Sequence, residues 1–183
     1  FHQKAEDNYN LIIDSLLEAL NHYYHVETGT WYSGNPSNVV KINGAMKVLS
    51  GLQWLQRPYP DTTSLINFAL KQPFEQDGCG FLNRLFVVWQ ARKGVPEGYR
   101  QQDIAMLAHR VLDMVQGFKQ KDGAFSFYQG HSQTSYLGAR ISRGLPVSDL
   151  HGTVMLTWAI AIALDLLRDD APIGADLWHP HKA

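Results

Sequence analysis

Thr28-Gly29-Thr30-Trp31, Asp77-Gly78-Cys79-Gly80-Phe81 and Asp122-Gly123-Ala124-Phe125 are three versions of one layout, a glycine among small or acidic residues followed two or three positions later by an aromatic side chain. The glycines at 29, 78 and 123 are 49 and 45 residues apart. A period of that size belongs to stacked helical hairpins.

The segments between these turns agree with it. Lys4 to Tyr24 sets Leu11, Ile12, Leu16, Leu17 and Leu20 at helical spacing, with acidic residues near its start, where the helix dipole favours them. Beyond Gly34-Asn35-Pro36-Ser37, the stretch Asn38 to Gln56 is apolar on several faces and stops at Arg57-Pro58-Tyr59-Pro60. This spacing predicts a helix buried on more than one side. Asp61 is a suitable N-cap for a short helix reaching about Gln72. Phe81 to Ala91 reads as another buried helix despite its Val87-Val88 pair, because helices flank it. Arg100 to Lys119 is amphipathic, with Ile104, Leu107, Ala108, Val111, Leu112 and Val115 on one stripe. A 28-residue connection from Gln120 to Val147 follows, and connections of that length are functional or mobile. Ser148 and Asp149 then cap a last helix to about Arg168, whose middle is apolar all round and is expected inside the structure. In each unit an amphipathic helix precedes the glycine-aromatic turn and a more uniformly apolar one follows, so outer and inner helices alternate. The expected fold is all-α: six helices in three hairpins, stacked as a toroid or solenoid in a single domain spanning 1–183.

Composition narrows the function classes. Of 183 residues, 45% are hydrophobic and 18% charged, and 16 basic against 17 acidic side chains leave a net charge of -1. With no block of like charge, neither a nucleic-acid binder nor a polybasic membrane anchor is expected. Val154 to Leu164 is too short for a transmembrane segment, which needs roughly 20 residues. The lone Cys79 excludes an internal disulfide and leaves the compartment open. The first residue is Phe1, with no initiator Met and no basic-then-apolar leader, so the chain is expected to be the C-terminal portion of something longer.

On these repeats the sequence resembles the α/α toroids of squalene-hopene cyclases, other terpenoid cyclases and protein prenyltransferase β subunits. The likeness is one of layout over most of the chain. The glutamine-tryptophan signature of the cyclases has its counterpart here only in Asp122-Gly123-Ala124-Phe125. A complete ring in those families uses about twice as many helices, so the resemblance implies half a toroid, or an abbreviated one. It also implies a cavity at the N-terminal ends of the inner helices, where free backbone N-H groups favour anionic ligands. The residues falling there are Lys41 and Asn43, Asn83 and Arg84, and Asp149 and His151. Trp31, Tyr32, Phe81, Phe125 and Tyr128 would form an aromatic wall. The competing reading makes these polar groups helix caps and loop anchors.

The prenyltransferase β subunits hold catalytic zinc with an Asp-x-Cys pair at the head of one inner helix and a His near the head of a later one. The similar residues here are Asp77, Cys79 and His151. Oxygen, sulfur and nitrogen ligands with an open fourth position suit catalytic zinc. Against this, Asp77-Gly78 also aligns with the turn dipeptide Asp122-Gly123, and a lone Cys among apolar neighbours is usually a small core hydrophobe. The acidic motif by which the cyclases protonate a polyene is not matched, since the adjacent acids Asp169-Asp170 follow the last helix.

Helical toroids also serve polysaccharide lyases, which need a Tyr or His base and Asn or Arg groups to neutralise a carboxylate. Asn43 or Asn83, Arg84, Arg140 or Arg143, His131 or His151, and Tyr128 or Tyr136 can supply such a set. Tyr128 to Tyr136 adds aromatic and amide side chains suited to stacking on sugars, unless it is a solvated loop. His22 and His25 read as helix-end groups, and His179 and His181 as part of a polar tail. Nucleotide binding has no motif. The expectation is therefore an enzyme or enzyme portion holding an extended substrate, oligosaccharide or isoprenoid, against a non-catalytic helical-repeat module that binds a partner. An isolated chain of this kind is expected to pair, with a second copy or with its missing portion.

Overall fold

The computed structural model describes residues 2–74 and 76–168. The described chain is all-α apart from two ribbons of paired two-residue strands. In order it runs α1 (His2–Asn21), β1 (Tyr24–His25), β2 (Thr30–Trp31), α2 (Asn38–Trp54), α3 (Thr63–Leu70), α4 (Gly78–Ala91), α5 (Gln101–Val115), β3 (Ser135–Tyr136), β4 (Ala139–Arg140) and α6 (Leu150–Leu166). Each strand pair is antiparallel. The β3–β4 turn is made by Leu137 and Gly138, both at positive φ, the backbone that a two-residue hairpin loop favours.

Helix α4 is the centre of the molecule. All of its residues except Cys79 are buried, and it packs against α2, α3 and α6, while α5 packs chiefly on α6. Side-chain bonds reveal the helix directions. Asn83 near the start of α4 bonds Asn43 near the start of α2, and Gln90 near its end bonds Gln53 near the end of α2. Likewise Cys79 lies against His151 at the two N-terminal ends, and Trp89 donates to Asp165 at the other. Helices α2, α4 and α6 are therefore parallel neighbours with their N-termini together, and α3 and α5 lie outside them.

The boundaries differ from expectation where side chains cap. Helix α4 starts three residues early because the Asp77 carboxylate accepts from Gly80 N at 2.9 Å, which makes Gly78 its first residue. Gly78 is thus not a left-handed turn glycine like Gly29 (φ 64°) or Gly123 (φ 89°), and the three repeat turns are only two in backbone terms. Asp61 is not the N-cap of α3. Thr62 holds that place, and Asp61 accepts from Thr63 N in the turn before it.

Burial of α2 and α6, unlike that of α4, is one-sided. Helix α2 buries Ile42, Ala45, Leu49 and Leu52 but leaves Val40 54% and Trp54 88% exposed. Helix α6 buries Leu156, Ala159, Ile162 and Leu166 but exposes Leu150, Val154 and Leu164, because α4 and α5 cover one side of it. The apolar stripe of α1 (Leu11, Ile12, Leu16) is exposed as well. No helix among the described residues is long and apolar enough to cross a membrane.

Candidate active site

The heads of α4 and α6 are built alike. Asp77-Gly78-Cys79-Gly80 and Asp149-Leu150-His151-Gly152 each begin with an aspartate in extended backbone, φ -144° and -139°, whose side chain accepts from the N-H of the glycine three residues on. Such a cap satisfies an otherwise orphaned helix donor. In both helices it sets the residue between, Cys79 or His151, on the first turn.

Because the helices run parallel and adjacent, these two side chains meet. Cys79 Sγ lies 3.5 Å from His151 Nε2. The other ring nitrogen, Nδ1, is 2.7 Å from the amide oxygen of Gln133. Phe127 stacks on the imidazole at 4.7 Å between centroids, and Tyr136 meets it edge-on at 5.8 Å. Gly152 makes the stacking geometry attainable, since a Cβ there would stand only 2.7 Å from Phe127 Cα.

Asp149 ties this arrangement together. One carboxylate oxygen caps Gly152 N at 2.6 Å, and the other accepts from Phe127 N at 2.8 Å and Gln133 N at 3.0 Å. Gly78 N donates to the Phe127 carbonyl at 3.0 Å, so the same loop is fastened to α4. The long connection is not a freely solvated loop: Ser126, Phe127, Ser132 and Gln133 are buried.

Burial, and then the neighbouring Asp77 carboxylate, push the Cys79 thiol up to about 11. The bare thiol is therefore protonated at neutral pH. Beside the pair a cavity of about 530 Å³ is lined by Tyr136, Ile141, Leu150, Val154 and Met155, with Gln133, Ser142, Asp149 and His151 as its polar members. Comparison with known proteins returns no matching family model, no matching curated protein and no matching solved structure.

The remaining residues expected at the site take other places. Asn83 bonds Asn43 at 2.5 Å between α4 and α2. Arg84 is buried, donates to the carbonyls of Leu70 and Pro73 and lies over Phe74, on a different face from the cavity. Lys41 sits over the Tyr32 ring, which stacks on His25. Trp31 packs on Tyr24, and Phe81 on Phe118 within the core. The Phe125 N-H donates to the Thr153 hydroxyl. Tyr128 packs on Phe127 and His131, and His131 Nδ1 is 3.0 Å from the Ser132 carbonyl. Arg140 donates to the Ser142 carbonyl and Arg143 is exposed. His22 bonds the Glu18 carbonyl within α1. Asp169, Asp170, His179 and His181 lie outside the described residues.

A zinc ion can be tested against this donor set. Zinc-sulfur and zinc-nitrogen bonds of about 2.3 and 2.0–2.1 Å at a tetrahedral angle put the two donors about 3.5 Å apart. The Cys79–His151 separation matches. The Gln133 contact is of the kind that orients metal-binding histidines through their second nitrogen. Asp77 spends one oxygen on its helix cap, and no preassembled group of three His, Cys, Asp or Glu is found among the described residues. Two donors fit; the third is not in place.

The sequence marks Cys79 and His151 as candidates, but Gln133 only as one amide of the Tyr128 to Tyr136 loop, which lies in a stretch without periodicity. The recurring Asp-x-(Cys or His)-Gly pattern at 77–80 and 149–152 is the signal that marks the two helix heads as equivalent.

Proposed function

We propose that this chain is the catalytic portion of an α/α-toroid-type enzyme, with the Cys79–His151 pair as its reactive centre and the adjoining cavity as the seat of an extended substrate. The observation that carries this reading is the 3.5 Å contact between side chains 72 residues apart, each at the head of its own helix. A thiol facing an imidazole that is fixed through its far nitrogen is an arrangement that a plain interaction module does not need. The parallel row of α2, α4 and α6 with α3 and α5 outside supports the toroid.

The lining supports a hydrocarbon chain of isoprenoid type over an oligosaccharide. Ile141, Leu150, Val154 and Met155 present no hydrogen-bonding groups to a sugar, and the polar groups gather at the His151 end. The substrate would lie with its tail along α6 and its reacting end at Cys79.

Zinc is part of this proposal. Cys79 and His151 would hold it, with Asp77 as the third ligand that the resemblance implies. When bound, zinc deprotonates a coordinating thiol outright. Burial and the Asp77 carboxylate hold the Cys79 thiol protonated, so a bound cation would have to displace that proton. The chain's own residues orient the imidazole and cap both helix heads. The exposed stripe of α1 supports pairing of the chain with a second copy.

A fluorescent probe with a polyisoprenoid tail tests the substrate reading. Saturable binding weakened at least tenfold by Val154→Asp is expected, whereas equal binding by a folded variant would count against the cavity as its seat.

A further inference from the structure

A histidine that receives a metal or a thiol proton on Nε2 must carry its own proton on Nδ1. Something has to enforce that tautomer, because a free histidine side chain favours the opposite one. The amide oxygen of Gln133, 2.7 Å from Nδ1, is an acceptor only. We propose that Gln133 is the positioning residue of this site, holding the His151 proton on Nδ1 so that the Nε2 lone pair faces Cys79.

The surroundings hold the imidazole and the main chain of Gln133. Gln133 is 6% exposed. Its N-H is held by Asp149, whose other carboxylate oxygen caps the helix that carries His151. Its backbone carbonyl accepts from the Ser142 hydroxyl at 2.5 Å. The orienting residue and the oriented one thus hang from a single carboxylate. The imidazole cannot turn freely, since Phe127 lies nearly parallel to it, at 21°, and Tyr136 stands perpendicular, at 90°. A turned Gln133 amide would present N-H to Nδ1 and drive the ring proton to Nε2. There it would point at sulfur, a weak acceptor, and the lone pair that a thiol proton or a cation needs would be lost.

A neutral amide performs this task differently from a carboxylate. It selects the tautomer without placing a negative charge beside the ring, which suits a neutral imidazole ligand. The inference rests on the proposed function only for the use made of the lone pair; the tautomer itself follows from the Gln133–His151 geometry.

The ring nitrogens of His151 can be read by nitrogen-15 NMR on the metal-free protein, with the signals assigned by their loss in His151→Ala. The expected spectrum shows a protonated Nδ1 and an unprotonated Nε2 at a pH where the ring is neutral. Gln133→Met should move the proton toward Nε2, and Gln133→Glu, which keeps an acceptor, should restore the original pattern. A wild-type proton on Nε2 would overturn the inference without any variant. So would a folded Gln133→Met protein that keeps the Nδ1 tautomer. Absence of zinc together with the Nδ1 tautomer would retire the metal reading and leave the role of Gln133 standing.

Discussion

Cys79 is the second residue of α4 and His151 the second residue of α6, and their side chains meet at 3.5 Å. Equal register on parallel neighbouring helices produces the contact. It depends on two aspartate caps that start the helices at matching levels.

The thiol's environment predicts its reactivity. Burial, followed by the Asp77 charge, raises Cys79 from an ordinary value of 9.0 to about 11. In the metal-free protein, alkylation by iodoacetamide should therefore be slow at pH 7–8 and accelerate only as the pH approaches 11. Asp77→Asn should lower the midpoint. For stability the sign is equally fixed: a raised folded-state value favours the protonated fold, so this contribution is complete below pH 9 and is lost between about 9 and 11. An alkylation midpoint near or below 8 would contradict the burial and charge argument.

Asp149→Ala removes a helix cap and two anchors of the loop that carries Gln133. A cap costs about 1 kcal/mol and each bond to a charged group about 1.5–3 kcal/mol, with non-additive sharing. A loss of about 3 kcal/mol in urea denaturation is expected. A loss below about 1 kcal/mol would show that the carboxylate does not hold the loop.

Gly152→Ala tests the close approach of Phe127 to α6. The added methyl would press on backbone, not on a flexible side chain, so a cost at or above the upper end of about 1–3 kcal/mol is expected. Gly51→Ala, with nothing near the added methyl, serves as the control on α2 and should be neutral or stabilising by up to about 1 kcal/mol. Equal behaviour of the two variants would contradict the packing described.

The helices were legible because their stripes repeat. The Ile104, Leu107, Ala108, Val111 and Val115 stripe of α5 is buried as its spacing predicts. Exposure was not legible. Leu150 and Trp54 belong to apolar segments yet lie 82% and 88% exposed, since composition does not say on how many sides a helix has neighbours. At the site, Cys79 and His151 stood out by residue type. Their contact required the parallel register, which no local pattern encodes. Gln133 stood out only as one amide of a loop suited to sugars, because its place beside His151 comes from a loop path set by Asp149. Arg84 and Asn83 sit near a helix head in sequence, but their positions around α4 turn them toward α3 and α2.

The exposed Leu11, Ile12 and Leu16 on α1 predict self-association. Sedimentation at micromolar concentration should give a species of at least two chains, and Leu11→Glu with Leu16→Glu should reduce it to one. A compact wild-type monomer would contradict the pairing.

The central claim, that Cys79 and His151 form one zinc-holding centre, is tested most directly by elemental analysis of protein purified without a metal-binding tag, beside Cys79→Ala and His151→Ala. The account predicts about one zinc per wild-type chain, lost in both folded variants. No zinc in the wild type, under conditions that retain it in a control metalloprotein, would contradict the claim, as would zinc that survives both substitutions.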